Sequence, residues 1–206
     1  MAHLRTGTYG NYYGSLYVES VALTLTEMNT NAKYIYSALK NKGWTDNSIA
    51  AILGNMQAES SINPGRWQSD DVANFSMGYG LVQWTPATKY TDWCTDNGYS
   101  DPSEMDNNIA RILYEVENKI QWIATSNYNL SFKEFTTSTQ SVSYLTRAFL
   151  LNYERPADQS ESVQILRTSN AEKWYQLLTG ELPFTPTSKK KKRFKFVLFD
   201  RNRRIP

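Results

Sequence analysis

The chain has 206 residues and a formal net charge of +2; 40% of its residues are hydrophobic and 14% are aromatic. This composition supports a packed core and excludes a disordered chain, and the length suits one globular domain with additional ends. The only cysteine, Cys94, excludes an internal disulfide, and the only histidine, His3, excludes clustered Cys/His zinc sites and His-dependent nucleophilic catalysis. Chemistry must therefore come from carboxylates, amides, hydroxyls or lysines, with no metal or cofactor expected.

Charge and hydropathy limit the kinds of partner that the sequence predicts. No apolar run approaches the ~20 residues that span a bilayer, and the N-terminus lacks the basic start and apolar stretch of a signal peptide. Basic residues concentrate at 189–206, so the preceding part of the chain is net acidic. Attraction to anionic partners is therefore expected of this tail alone.

In chain order, residues 1–24 carry glycine and tyrosine without helical spacing and are interpreted as an extended arm or edge strands. Apolar residues at helical spacing then predict five helices. These cover approximately residues 28–39, 45–62, 105–123, 141–154 and 161–178. Between them, the glycines and aromatic residues of 66–100 predict a turn-rich stretch with a small antiparallel sheet. Residues 181–206 are interpreted as a linker and a basic tail with a strand pattern.

One carboxylate lies where the second predicted helix runs out. In "NMQAESSINPG" (residues 55–65), Glu59 continues the apolar stripe of Ile52 and Met56 instead of the solvent face. Burial and the negative end of the helix dipole both disfavour a charged carboxylate, so its pKa is expected to be raised. A protonated acid near neutral pH is what cleavage of a glycosidic bond requires. The alternative is a capping or pairing role at a helix end.

The segment "SMGYGLVQW" (residues 76–84) contains groups suited to sugars. Its glycines allow close approach of a backbone to a ligand. Tyr79 and Trp84 could stack on pyranose faces, and Ser76 and Gln83 could bond hydroxyl and amide groups. The alternative is a glycine-rich hairpin packed on the core.

Taken together, three stretches resemble the phage tail lysozymes of short-tailed phages that infect Gram-positive bacteria. They are Glu59-Ser60 with Asn63-Pro64-Gly65, then Ser76 with "GYGLVQWTP", and "FLLNYERP" (residues 149–156). The resemblance covers roughly residues 25–180 and extends more loosely to goose-type lysozymes and lytic transglycosylases. It implies an α+β, mostly helical, lysozyme-like domain with a small sheet forming one cleft wall.

The resemblance also assigns roles. Glu59 aligns with the catalytic glutamate, Ser76, Tyr79, Gln83 and Trp84 align with the cleft wall, and Tyr153 lies on a helix expected to face the cleft. Long members of the family carry a zinc-dependent peptidase domain, which the single histidine does not support in these 206 residues.

The sequence does not identify the second catalytic group that would act together with Glu59. Retaining and inverting glycosidases use a second carboxylate, for which Asp70 and Asp71 are the nearest candidates. Glu154 is a weaker one, because a glutamate beside Arg155 is more often in a structural ion pair. A single-acid mechanism assisted by the substrate's own acetamido or hydroxyl group is the further alternative.

The implied function is cleavage of peptidoglycan between N-acetylmuramic acid and N-acetylglucosamine by a protein of the phage tail, acting on the host cell wall. A lytic transglycosylase and a catalytically silent structural tail component are the alternatives. Expected partners are glycan strands and other tail proteins, the latter through residues 181–206. No specific nucleic acid binding is expected.

Overall fold

The computed structural model describes residues 22–181; the predicted arm up to residue 21 and the tail from residue 182 lie outside the described residues. The helices are α1 (Leu25–Lys40), α2 (Asp46–Ser60), α3 (Thr88–Asp96), α4 (Met105–Asn118), α5 (Phe132–Thr137), α6 (Val142–Phe149) and α7 (Glu161–Thr179). A 3₁₀ turn at Gln68–Asp70 lies in the loop between α2 and α3, and a π-helical turn at Leu150–Glu154 directly follows α6. Between residues 22 and 181, no helix is long and apolar enough to cross a bilayer.

The predicted helices are present, and their ends follow local capping. α1 begins at Leu25 because Thr24 and Glu27 form a capping box in which each side chain accepts a hydrogen bond from the other's backbone N–H. α2 begins after Thr45, whose hydroxyl oxygen accepts from Ser48 N–H, and it ends where Ser61 turns left-handed with a φ of 56°. Side-chain caps therefore define the starts of α1 and α2, and a left-handed residue ends α2.

The third and fourth predicted helices are shorter than their apolar patterns indicate, whereas the last one, α7, has nearly the predicted bounds. α4 ends at Asn118, because Lys119 is left-handed with a φ of 55°, so the apolar residues at 120 and 123 fall outside it. The segment 141–154 divides into α6 and the π-helical turn, in which Arg155 N–H donates to the Leu150 carbonyl at 2.8 Å. The short helices α3 and α5 were not predicted.

The predicted small antiparallel sheet is wrong. Within residues 22–181 the structure contains no strand, and residues 66–100 show only isolated antiparallel bridges, from Tyr79 to Trp67 and to Trp84. Positive φ angles recur along this stretch at Ser69, Asp70, Ala73, Gly80 and Gln83. Each reverses the chain, so no run is long enough for a ladder of paired residues. The described domain is therefore helical, not α+β.

The core is arranged around α2, which packs mainly against α7 and α6. Gly54 makes the approach of α7 possible: a Cβ atom at this position would lie 2.6 Å from Ala171 Cβ and 2.7 Å from the Arg167 carbonyl oxygen. The absent side chain lets the two backbones come close. As a result, Arg167 of α7 lies beside the C-terminal turn of α2.

Two polar residues attach the glycine-rich segment to the helices. Ser60 donates its hydroxyl hydrogen to the Leu81 carbonyl at 2.8 Å. The buried Asn108 of α4 accepts from Leu81 N–H at 3.0 Å and donates to the Tyr90 hydroxyl at 3.0 Å. Gly80, with a φ of 84°, is required next to it because a Cβ there would lie 2.7 Å from Asn108 Oδ1. The segment is thus fixed directly beside the end of α2.

Candidate active site

A polar cavity of about 410 Å³ opens between the end of α2, the loop that follows it and the π-helical turn. Its lining residues come mainly from these three segments. They are Glu59, Arg66, Trp67, Gln68, Ser69, Gln83, Thr85, Glu154, Arg155, Pro156 and Ala157. The cavity therefore brings two carboxyl groups, Glu59 and Glu154, into one polar space.

Glu59 is partly buried, with 19% of its side chain exposed, and it is ion-paired with Arg167. Arg167 Nη2 lies 2.5 Å from Glu59 Oε1, and Arg167 Nη1 donates to Asn55 Oδ1 at 3.2 Å. The guanidinium is itself only 8% exposed. The cleft carboxylate thus has a fixed, nearly buried counter-charge supplied by α7.

Glu154 occupies a different environment at the end of the π-helical turn. The residue is partly exposed, but its Oε1 atom is fully buried and receives no hydrogen bond. Burial, followed by the negative charge of Glu59, raises the pKa of Glu154 well above its usual range, against the lowering effect of Arg167. The environment of Glu154 therefore favours the protonated form of its carboxyl group.

The expected ion pair between Glu154 and Arg155 is not formed in this arrangement. Arg155 has a left-handed backbone with a φ of 48°, and its guanidinium Nη1 donates to the carbonyls of Gln121 and Asn152, at 2.5 Å each. Arg155 therefore fixes the loop after α4 to the π-helical turn. The reason for ranking Glu154 below the aspartates is removed.

A third glutamate, Glu115 of α4, is buried in a polar network that reaches the π-helical turn. It accepts hydrogen bonds from Tyr153 Oη at 2.6 Å, Arg111 Nε at 2.9 Å and Trp84 Nε1 at 3.0 Å. Burial raises the pKa of Glu115, and the bonds from Tyr153 and Arg111 oppose that rise. Because Tyr153 immediately precedes Glu154, this network holds the π-helical turn against α4.

Of the five predicted substrate-binding residues, one lines the cavity, three are buried in the core and one is exposed outside the cavity. Gln83 lines it, and its side-chain amide donates to the carbonyls of Gly80 at 2.8 Å and Arg66 at 3.1 Å. Tyr79, Trp84 and Tyr153 are at most 4% exposed and belong to the core, where they support the wall from behind. Their direct contact with a ligand stays a prediction.

The remaining predicted site residues lie outside the cavity lining. Ser76 is exposed and donates its hydroxyl hydrogen to Asn74 Oδ1 at 2.6 Å. Asp70 pairs with Arg66 at 2.8 Å, and Asp71 accepts from the Asn74 amide at 2.7 Å. Both aspartates are exposed and already paired, whereas Glu154 lines the cavity together with Glu59.

Sequence reasoning missed Arg167, which is separated from Glu59 by 108 positions. The available signals were a glycine in the middle of the apolar α2 pattern and an arginine within the predicted α7, but no local rule connects them. Among residues 22–181, no group of three or more His, Cys, Asp and Glu side chains is arranged to hold a metal ion. The charged groups that line the cavity are the carboxyl groups of Glu59 and Glu154 and the guanidinium groups of Arg66 and Arg155.

Glycosidases generally use two carboxyl groups that lie in unlike environments within one cleft. The cavity contains two such groups, Glu59 and Glu154. The sequence matches the phage tail lysozyme family over residues 30–178, and the chain belongs to that family. It is also 48% identical, over 165 residues, to Morphogenesis protein 1 of Bacillus phage B103. The aligned part covers 80% of this chain and 44% of that relative, so the chain spans less than half of the longer protein.

Proposed function

We propose that this protein is a peptidoglycan hydrolase of the phage tail that cleaves the bond between N-acetylmuramic acid and N-acetylglucosamine. The observation that carries the proposal is the position of Glu59, which lies within the residues that match the phage tail lysozyme family and contributes a carboxyl group to the polar cavity. In the virion, such an enzyme opens the host cell wall for passage of the genome.

In the proposed reaction, Glu59 donates a proton to the leaving glycosidic oxygen as the bond to the sugar ring breaks. Glu154 is the second carboxyl group, in place of Asp70 and Asp71. Gln83 and Arg66, which line the same cavity, are the polar groups proposed to orient the sugar substituents. The core residues Trp84 and Tyr153 act indirectly, by fixing Glu115 and the π-helical turn.

The direct test is clearing of Gram-positive cell walls by the wild type and by Glu59→Gln. Removing a general acid lowers the reaction rate by about 10² to 10⁴ fold, so the rate of clearing by the variant should be lower than that of the wild type by such a factor. Glu117→Gln is the matched control, because Glu117 is exposed and paired with Lys133 away from the cavity. Circular dichroism should show the same fold for all three proteins.

The outcomes separate the alternatives. Equal clearing by wild type and Glu59→Gln would contradict the role of Glu59. Products ending in anhydro sugars, detected by mass spectrometry of the released muropeptides, would identify a lytic transglycosylase using the same cavity.

A structural tail component is the second candidate, since the relative from phage B103 is named for morphogenesis. In that case the domain keeps the fold and binds glycan or closes the tail without cleaving anything. Zymography on purified walls distinguishes the two, because a binding protein produces no cleared zone.

A further inference from the structure

We propose that Glu59 and Glu154 form one acidic unit that holds a single proton, with Arg167 as its fixed counter-charge, and that Glu154 supplies the proton which Glu59 delivers. The delivery step rests on the proposed function. The sharing of one proton is a property of the folded protein and does not depend on catalysis.

The first argument is the unequal distribution of partners around the two carboxyl groups. Glu59 has a guanidinium in direct contact, whereas the buried Oε1 of Glu154 receives no hydrogen bond. A buried carboxylate without a donor is costly, and the protonated form removes most of that cost. The proton of the pair therefore resides on Glu154 in the free protein.

The second argument is the set of charges that face Glu154 from each neighbouring element. Glu59 comes from α2, Glu115 from α4, Arg167 from α7, and Arg155 from the same turn. The two glutamates favour the protonated form of Glu154 and the two arginines oppose it, while burial is the largest effect and acts with the glutamates. Glu59 raises the pKa of Glu154 more than Glu115 does. The ionisation of Glu154 is therefore linked chiefly to the charge of Glu59.

The third argument is that the elements holding the pair are rigid. Glu59 is on the last turn of α2, and Glu154 is held by Tyr153 bonded to Glu115 and by Arg155 bonded to backbone carbonyls. Arg167 is held against α2 at the contact that Gly54 permits. Packing thus determines the relative placement of the two carboxyl groups and the Arg167 guanidinium, as a proton-sharing pair requires.

The proposed cycle balances. When a glycan enters, the proton of Glu154 passes to the carboxylate of Glu59, which leaves Glu154 ionised within the field of the Arg167 guanidinium. Glu59 then protonates the leaving oxygen, which takes the electron pair of the broken bond to the sugar carbon. Water forms the new bond to that carbon, and the proton it releases returns to the pair.

The sharing is tested by ¹³C NMR titration of the glutamate side-chain carboxyl groups in the full chain. Signals are assigned from their loss in Glu59→Gln and Glu154→Gln. In Glu59→Gln the titration midpoint of Glu154 should fall by about one pH unit or more, since interacting sites of this kind are coupled by at least that amount. Glu117→Gln, which removes an exposed glutamate, should leave it in place.

An unchanged Glu154 midpoint in Glu59→Gln, with the fold intact by circular dichroism, would overturn the proposal. A midpoint that falls supports it whether or not the protein clears cell walls. Failure of the sharing and failure of the proposed function are therefore separate results.

With an active protein, the pH profile of wall clearing tests the delivery step. In the proposal the alkaline limb reports loss of the single proton of the pair, which Glu154 holds. Glu154→Gln removes that holder, so the limb should move to lower pH by about one unit. A purely structural role would lower clearing at all pH values and leave the limb where it is, which would contradict delivery through Glu154.

Discussion

At the scale of single residues, Arg167 is the group on which the charge balance of the cleft depends. It is nearly buried and contacts Glu59 and Asn55, so its removal leaves a partly buried carboxylate and a buried amide without their donor. Arg167→Met should lower the free energy of unfolding by about 3 to 5 kcal/mol, the cost of breaking a buried pair from one side. Urea unfolding monitored by circular dichroism measures this directly.

Arg147 provides the matched control. It pairs with Glu161, whose side chain is 62% exposed. Arg147→Met removes a comparable ion pair at the surface and should cost less than about 1 kcal/mol. Similar losses for the two variants would show that the pair of Arg167 and Glu59 is energetically a surface pair.

The raised pKa of Glu154 has a consequence for stability that opposes its role in the site. An unfolded glutamate ionises near pH ~4.3, whereas the folded one keeps its proton to higher pH, so the folded state loses stability as pH rises through that interval. Glu154→Gln removes this loss. The variant should therefore gain on the wild type in free energy of unfolding as pH rises from 4 to 7.

Each unit by which the fold raises this pKa corresponds to about 1.4 kcal/mol of that gain. Paired urea titrations at the two pH values give the comparison. A difference between variant and wild type that stays constant with pH would mean that the fold does not raise the pKa of Glu154.

At the scale of elements, the contact between α2 and α7 determines whether the cleft is assembled. Gly54→Ala would place a methyl group 2.6 Å from Ala171 Cβ and against α7 backbone atoms. Overpacking of this kind costs about 1 to 3 kcal/mol. Displacement of α7 also moves Arg167 away from Glu59, so wall clearing should fall further than the loss of stability alone would cause.

The double variant Gly54→Ala with Ala171→Gly is the informative control, measured by urea unfolding and by clearing. It removes the contact between the two Cβ atoms but leaves the backbone nitrogen of Ala171 and the Arg167 carbonyl, each 2.7 Å from the new methyl group. Partial rescue is expected. Full rescue would show that the α7 backbone can shift without cost.

Element prediction from the sequence succeeded where the signal is local and periodic. α1 and α2 carry both an apolar stripe and a side-chain cap, and the position of Glu59 at the end of α2 follows from them. The sheet was wrong because positive φ angles interrupt residues 66–100, and the segment is held instead by long-range bonds, such as those that join Leu81 to Ser60 and Asn108. A single sequence does not show such bonds.

At the scale of the whole molecule, the candidate site depends on helices that are far apart in the chain. Glu59, Glu154 and Arg167 come from α2, the π-helical turn and α7. Glu59 could be selected from its own neighbourhood, whereas Arg167 could not, and Glu154 was undervalued because its neighbour Arg155 was expected to pair with it. The site is thus a product of tertiary packing that sequence patterns indicate only in part.

The basic tail leads to a prediction about the particle. The alternation of aromatic and basic residues near residue 195, in a net basic segment, favours docking to a partner protein or attraction to anionic wall polymers. Deleting residues 181–206 should change the stability of the helical domain by no more than about 0.5 kcal/mol. Incorporation into phage particles should fall, as measured by immunoblotting of purified virions.

Unchanged incorporation of the truncated protein, at equal expression, would contradict this docking role. Wall clearing by the truncated protein serves as the control that the domain itself remains intact.

The π-helical turn gives both carboxyl networks a common mechanical origin. Its bond from Arg155 N–H to the Leu150 carbonyl encloses one residue more than an α-helical turn, and Tyr153 and Glu154 lie within this turn. Deleting one residue at position 150 or 151 would restore α-helical phase and rotate everything upstream by about 100° relative to these two side chains. Tyr153 would leave Glu115, and Glu154 would leave the cleft, in the same event. A change in chain length of a single residue therefore separates a cleft with two acids from a cleft with one.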